Sequence, residues 1–434
     1  MVETIHPKKI NYVGIDWGFR EHEVCVVDEQ GDPLERGTFA HSGQGLSELV
    51  DWLLAKVHHP SQLRVGIETP HGAVVESLLD REIEVYALNP KKLDRFRDRF
   101  SVAGAKDDRL DARVLACSLR TDMHAFQKVV LGSAQRIQLR EWSRIAEELT
   151  EQRTSLGHQI RQQLHRYYPQ MLQLSKDLLA PWRLDLWALL PTPEHAQRAK
   201  VSDVKQLLKQ HRVRSVDAQQ VLEKLRAPAL GIAAGTTQAA VARIELYQAQ
   251  ARLIHQQWRQ AHQQLTQCTK ALSPSEESEP GQQKEQHDAE LLQSLPGVGK
   301  IVLAVLLTEA HQPLAQGDYH ALRTLAGVAP VTKATGGSNR TDKRNKNPTK
   351  KPRVLMRYAC HHRLRNAVWH WARVACQKDP RWKQRYAELR QRGIKHPQAL
   401  RTVGDSLLRV ACSMIKNRTF YEPNRKTAHA AHAA

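Results

Sequence analysis

Apolar residues alternate with polar ones in three short runs near the start of the chain: INYVGID (10–16), HEVCVVDE (22–29) and LERGTFAH (34–41). With the turn signal EQGDP between the second and third runs, this spacing predicts an antiparallel meander. The period then becomes helical from Gly45 to Val57, returns to strand at LRVGIET (63–69), is helical at AVVESLLDR (73–81) and is strand again at EVYALNP (84–90). Strands alternating with helices after a meander predict an α/β domain with a mixed sheet. Beyond Ala112 the chain reads as helix, with two heptad seams. The first runs through Leu139, Trp142, Ala146, Leu149, Leu156, Ile160 and Tyr167 and is broken by Arg153. The second is uninterrupted: Ile244, Tyr247, Ala251, Ile254, Trp258, Ala261, Leu265 and Cys268. The seams predict pairing, either within one chain as a surface hairpin or between two chains as a dimer arm. Residues 181–235 read as helix broken at PTPEH and RAPALG, with no assignable role.

SPSEESEPGQQKEQHD (273–288) is acidic, polar and interrupted by proline and glycine, so a linker is expected there. LLQSLPGVGKIVLAVLLTEA follows, with Pro-Gly-Val-Gly before a long apolar helix. This matches the turn of a helix-hairpin-helix element, in which backbone N–H groups meet a DNA phosphate, and it is equally an ordinary helix connector.

Composition narrows the choice of partner. A chain of 434 residues is long enough for two or three cores, and its net charge of +20 calls for a polyanion, nucleic acid first. No apolar run approaches the length of a membrane span and no signal peptide opens the chain, so a cytoplasmic, nucleoid-associated protein with no membrane partner is expected. The six cysteines form no CxxC pair and read as reduced, mostly core thiols. In Cys360-His361-His362 adjacent side chains diverge, which favours a structural role over metal ligation.

The stretch AKDDRLDARVLA (105–116) crowds Asp107, Asp108 and Asp111 at the start of a helix. Carboxylates in a first helical turn commonly cap N–H groups and complement the helix dipole. The other reading is a metal site. Asp16 ends the first predicted strand, Glu68 the fourth, and Asp108 and Asp111 open the helix beyond the fifth, so all four can converge at one sheet edge. Four hard oxygen donors suit Mg2+ or Mn2+. Two such ions would activate and stabilise in-line displacement at a phosphate.

VGIDWGFREHEVCVVDEQG, VGIETPHG, NPKKLDRFR and AKDDRLDARVLA resemble, in order and spacing, the four blocks of the RuvC-like domain in DEDD-type transposases of the insertion-sequence 110 family. LPGVGKIVLAVLLTEA, LRTLAGVAPVTKATGGSNR and MRYACHHRLRNAVWHWARVACQKDP resemble the second, C-terminal serine transposase domain of that family. The resemblance implies an RNase H/RuvC-like α/β domain (1–130), a helical coiled-coil region (131–272), the linker (273–289), a mostly helical transposase domain (290–420) and a tail (421–434). It implies Asp16, Glu68, Asp108 and Asp111 as a catalytic metal tetrad, with Asp107 where the family often has an uncharged residue. It also implies a hydroxyl nucleophile that joins covalently to DNA during strand exchange, and a noncoding guide RNA by analogy with some members.

The sequence departs from the family at the nucleophile. Thr335-Gly336 stands where the family has Ser-Gly, and Ser338 follows three residues later; both hydroxyls are candidates, with Ser338 favoured because its hydroxyl is less hindered. Residues 332–353 carry eight cations, Lys333, Arg340, Lys343, Arg344, Lys346, Lys350, Lys351 and Arg353, against one aspartate, which predicts phosphate contacts without sequence choice. Tyr358, Trp369 and Trp371 are expected in a core rather than against bases. The expected function is DNA cleavage and strand exchange by a homo-oligomer acting on element ends and target. A metal-dependent structure-selective nuclease and a non-catalytic nucleic-acid scaffold are the alternatives.

Overall fold

In the computed structural model, residues 10–88, 90–99, 107–130, 132–272, 280–333 and 353–423 are described. The chain divides into two compact units, residues 1–132 and 133–434.

The first unit begins with the expected meander: β1 (Asn11–Asp16), β2 (Glu21–Val27) and β3 (Pro33–Ala40), joined antiparallel. After α1 (Gly43–Leu54) comes β4 (Leu63–Ile67), parallel to β1, and after α2 (Ala73–Asp80) comes β5 (Glu84–Ala87), parallel to β4. Two further helices, α3 (Pro90–Arg97) and α4 (Asp108–Thr121), precede the short edge strand β6 (Gln127–Lys128). The sheet order is β3-β2-β1-β4-β5-β6, a mixed sheet of the RNase H-like kind. One face is covered by α1 and α2, with Val13, Ile15, Val24, Val26, Val65 and Ile67 in a core shared with Leu49, Leu53 and Leu78. The other face carries α4, which sits unusually close. A Cβ at Gly14 would lie 1.9 Å from the Ala112 carbonyl oxygen, and one at Gly66, its register partner, 3.4 Å from that of Leu115. Any side chain at Gly14 would lift the helix off the sheet.

The second unit is built on a long hairpin. α5 (Ala134–Tyr167) and α10 (Ala234–Lys270) pair with each other, so the two heptad seams are satisfied within one chain. Trp258 Nε1 donates to Thr150 Oγ1 at 3.0 Å, and Arg153, the polar break in the first seam, lies over the Trp258 ring and pairs with Asp177. At the far end of the hairpin, α6 (Pro181–Leu189), α7 (Pro193–Arg198), α8 (Val201–Gln210) and α9 (Ala218–Leu225) bury Leu186, Ala196, Val204 and Leu222 against Ile160, Leu164 and Ile244. That gives residues 181–235 a packing role: they close the end of the stem.

At the near end the stem shares a core with α11 (Pro280–Gln293), α12 (Lys300–Glu309), α13 (His311–Ala315), α14 (Tyr319–Leu325), α15 (His362–Lys378), α16 (Pro380–Gln391) and α17 (His396–Asn417). Helix thus replaces irregular chain from residue 280 onward, because Gln286 and Asp288 are buried and Asp288 pairs with Arg418. The Pro-Gly-Val-Gly turn between α11 and α12 is braced by α15: Trp371 Nε1 donates to the Pro296 carbonyl at 3.0 Å, and Gly297, at φ +84°, backs onto the Ala375 amide. Trp371 is buried as expected, whereas Tyr358 is 72% exposed and Trp369 36%. The cysteines form no disulfide; Cys25, Cys117 and Cys412 are buried and the rest half-buried.

Glu309 ties the stem to the C-terminal helices. Its carboxylate, 9% exposed, receives Arg144 at 3.1 Å and Arg363 at 2.9 Å, while Arg363 also donates to Ser143 Oγ at 2.7 Å. His361 caps α15 by accepting the Leu364 N–H at Nδ1, and its Nε2 faces Glu309 at 3.4 Å, a structural role as expected for this histidine. Burial works against the charged carboxylate, yet the His361 hydrogen bond and the arginine charges outweigh it and hold the pKa at about 2. A depressed carboxyl pKa adds stability that is present above the unfolded value and lost as pH falls through the folded one. Glu309→Gln is therefore expected to lower the unfolding free energy at pH 7 by about 3 kcal/mol. Urea titrations should show that deficit shrinking from pH 4.5 towards pH 2. A deficit constant over that window would remove the electrostatic account.

Candidate active site

The acidic site grows out of the close packing of α4 on β1. Near its C-terminal end, Arg120 donates to the Glu29 carbonyl at 3.0 Å, beside the turn that leads away from the start of β1. At its N-terminus, the Arg109 guanidinium is 3.9 Å from Glu23, the register partner of Asp16. The helix therefore runs antiparallel to β1, and its first turn stands at the strand's C-terminal end. Strand alternation then fixes the faces. Two residues beyond Gly14 comes Asp16 and two beyond Gly66 comes Glu68, so both start from the face that α4 covers. Asp16 thus ends β1 and Glu68 directly follows β4, its parallel neighbour, on the face covered by α4, and Asp108 and Asp111 belong to the first turn of that helix.

The carboxylates there have different duties. Asp107 is the N-cap, its side chain accepting the Arg109 N–H at 3.1 Å. Capping is thereby satisfied by the extra aspartate, and Asp108 is left exposed at the first helical position. Asp16 and Glu68 are half-buried. Asp111 is buried at 2% exposure, and both its oxygens are held by Arg97 of α3, at 2.6 Å from Nε and 2.7 Å from Nη2. This paired hydrogen bond raises the Arg97 pKa, although burial opposes it, and Asp94 adds a contact at 3.1 Å. Among the described residues no three His, Cys, Asp or Glu side chains are gathered closely enough to hold a metal ion. Carboxylate oxygens are the donors a hard divalent cation prefers, and at Asp111 both are engaged by Arg97.

Arg97 is the functional candidate that pattern reading passed over; its signal was the Asp94–Arg97 spacing of three on a short basic helix. A second is His22, a polar residue in an inward strand position, with no exposure at all. Its Nδ1 accepts the Gly18 N–H at 3.3 Å and its Nε2 meets His41 Nδ1 at 2.9 Å, which steadies the Trp17-Gly18 loop directly after Asp16. Burial first, then His41, lowers the His22 pKa. On the same loop Phe19 is 85% exposed, edge-on to Trp17.

In the second unit, β7 (Val331–Lys333) and β8 (Arg353–Leu355) pair antiparallel, with Lys333 opposite Arg353. The ladder joins the two ends of the basic segment. Thr335, Ser338, Arg340, Lys343, Arg344, Lys346, Lys350 and Lys351 lie outside the described residues. At the α11–α12 turn, Gly299 is exposed at an N-cap that no side chain fills, as suits either a helix-hairpin-helix turn or an ordinary connector. Among the described residues no helix is long and apolar enough to cross a membrane.

Comparison with known proteins identifies the family. Residues 13–169 match the family of transposases of the DEDD IS110 type, and residues 289–387 match the transposase IS116/IS110/IS902 family. A protein named transposase y4uE, from Sinorhizobium fredii, is 46% identical over 209 residues, covering 48% of this chain and 58% of that protein. The mini-circle transposase for IS117 of Streptomyces coelicolor is 30% identical over 431 residues, covering 98% of each chain. A 42 kDa protein of insertion element IS900 from Mycobacterium paratuberculosis is 30% identical over 143 residues, 33% of each. The chain belongs to the IS110 family of transposases, enzymes that act on DNA and whose DEDD domain implies dependence on a divalent metal.

Proposed function

We propose that this transposase cleaves and exchanges DNA strands with Asp16, Glu68, Asp108 and Asp111 as the metal-binding tetrad and a hydroxyl of residues 334–352 as the nucleophile. What supports the reading is that Asp16 and Glu68 stand at the ends of two adjacent parallel strands on the face covered by α4, whose first turn carries Asp108 and Asp111 beside the close contacts at Gly14 and Gly66. Mg2+ or Mn2+ bound there would polarise the scissile phosphate and stabilise charge in the transition state. The chain's own residues do the rest. The strand ends and the α4 N-terminus hold the carboxylates, Arg97 orients Asp111 through both of its oxygens, and the His22–His41 pair fixes the loop after Asp16. The basic segment, drawn together at Lys333 and Arg353, tracks phosphates through Lys343, Arg344, Lys346, Lys350 and Lys351. In the chemical step the serine or threonine oxygen bonds to phosphorus and the deoxyribose oxygen leaves with a proton. The phosphodiester energy is kept for rejoining by the reverse attack.

Strand exchange needs several cuts, which calls for a homo-oligomer. Because the heptad seams are spent inside the hairpin, contacts between copies fall to outward residues such as Leu246 and Leu253, 70% and 56% exposed and one heptad apart on α10. A noncoding RNA from the element would choose the DNA partners, since a phosphate-tracking surface carries no base readout.

The test is a reaction of purified protein with DNA carrying the element ends and target, with and without RNA transcribed from the flanking noncoding region. A protein–DNA adduct stable to denaturation, formed by an oligomer and only with the RNA, is expected. Free hydrolysed ends would favour a structure-selective nuclease, binding without cleavage would favour a scaffold, and full activity without RNA would remove the guide.

A further inference from the structure

α16 and α17 enclose an open hollow of about 330 Å3, at the lower end of the roughly 300–1,000 Å3 usual for ligand sites. Helical spacing explains its lining. Arg381 and Arg385, four apart, share one face of α16 with Gln384 and Glu388; Ser406 and Arg409, three apart, face them from α17. Three guanidinium groups thus surround one cavity against one carboxylate. Glu388 engages Arg385 only at 3.5 Å, and Asp405, the neighbouring acid on α17, is spent on Arg323 at 2.7 Å. Among the described residues neither Arg381 nor Arg409 has a carboxylate partner.

Two of these cations are nonetheless held in place. Arg409 Nη2 donates to the Tyr319 hydroxyl at 3.2 Å and its guanidinium lies 4.9 Å from that ring's centroid, while Arg381 lies 5.2 Å from the ring of buried Trp382. Positioned like-charged groups around a cavity repel one another unless an anion enters, and guanidinium forks match phosphate oxygens in pairs. The surroundings favour a polymer over a small anion, because residues 380–404 carry seven Lys or Arg and one acid, a track extending past the hollow.

We propose that this hollow is a docking site for a backbone phosphate of duplex DNA, separate from the basic segment 332–353 and from the acidic tetrad. Arg381, Arg385 and Arg409 supply the charge, and Gln384 and Ser406 supply neutral hydrogen bonds. Such a contact adds affinity and registers the duplex on the C-terminal helices without reading sequence.

The test is fluorescence anisotropy of the full chain with a duplex of about 40 base pairs, titrated across salt concentrations without metal, so that it stands apart from any result on cleavage. Replacing Arg381, Arg385 and Arg409 together by Gln is expected to weaken binding about tenfold at 0.15 M salt. The slope of log affinity against log salt should become shallower by about 1, the contribution of one phosphate. Lys205, Lys209 and Lys224, exposed at the far end of the stem, provide a charge-matched control when replaced by Gln; binding should change less than twofold. Gln384→Glu, which leaves every arginine in place, should cost several-fold even if the triple variant folds poorly. Three results would overturn the assignment: an unchanged slope in both pocket variants, an equal loss in the lysine control, or a loss confined to an RNA hairpin with duplex DNA bound as before.

Discussion

Asp16→Asn is expected to lower recombination by at least about a thousand-fold while leaving folding and most DNA affinity intact. The size follows from the chemistry: a neutral amide withdraws one charge and one strong ligand from a site that stabilises transition-state charge, and about 4 kcal/mol of lost stabilisation corresponds to three decades in rate. The survival of folding follows from position. Asp16 is the last residue of β1 and half-buried, so the substitution leaves the ladder and the Gly14 contact untouched. Affinity survives because it comes from cations on a chain of net charge +20. Asp108→Asn, at an exposed helix start already capped by Asp107, should behave alike. Asp111→Asn should not. It leaves Arg97 with only the exposed Asp94 as a charged partner beside a buried amide, so about 3 kcal/mol of stability should be lost along with activity. Thermal unfolding beside strand-exchange assays separates these cases. Full activity of Asp16→Asn in Mg2+ would end the metal assignment, and an unfolded Asp16→Asn would return that residue to a packing role.

That contrast between Asp16 and Asp111 also shows what the sequence could and could not convey. The three meander strands, the mixed character of the sheet and the acid at each strand end follow from alternation and turn residues, and the observed ranges of the meander strands differ from the expected ones by a residue or two, whereas the β1–β4 pairing is seen only in the fold. The Gly14–Gly66 pair explains why the α4 carboxylates reach the strand ends, but it emerges only once register is known. Heptads announce that α5 and α10 pair and cannot say with whom, since the same seam serves a hairpin and a dimer; the helices closing the stem beyond residue 168 decide it. The acidic stretch after residue 273 reads as linker because its composition is polar, whereas the burial of Asp288 depends on Arg418, 130 residues away. Arg97 was hidden for the same reason. An ion pair closed over 14 residues and a loop leaves no period behind.

Ser338→Ala is expected to abolish the covalent protein–DNA adduct, with Thr335→Ala reducing it only in part. Alignment with the family favours Thr335, which stands at the Ser-Gly position in APVTKATGG, so the argument for Ser338 has to be chemical. An in-line attack on a phosphodiester brings the nucleophilic oxygen into a crowded shell. A primary hydroxyl enters it freely, while the methyl on the threonine Cβ restricts χ1 and approaches the phosphate oxygens. Gly336 and Gly337 stand between the two hydroxyls and supply backbone freedom, and Arg340, two residues on, can pair with a non-bridging oxygen. The segment's ends are joined at Lys333 and Arg353, so a shift of three residues in the reacting position changes nothing in the ladder that anchors it. Trapping on a nicked substrate followed by denaturing electrophoresis reads the adduct directly, and the alanine variants remove no group from the described core. If Thr335→Ala alone eliminates the adduct, the nucleophile is Thr335 and family position outweighs hydroxyl type. If adducts persist when both are replaced, the attacking oxygen comes from elsewhere, and the role left to this segment is holding phosphate through its eight cations.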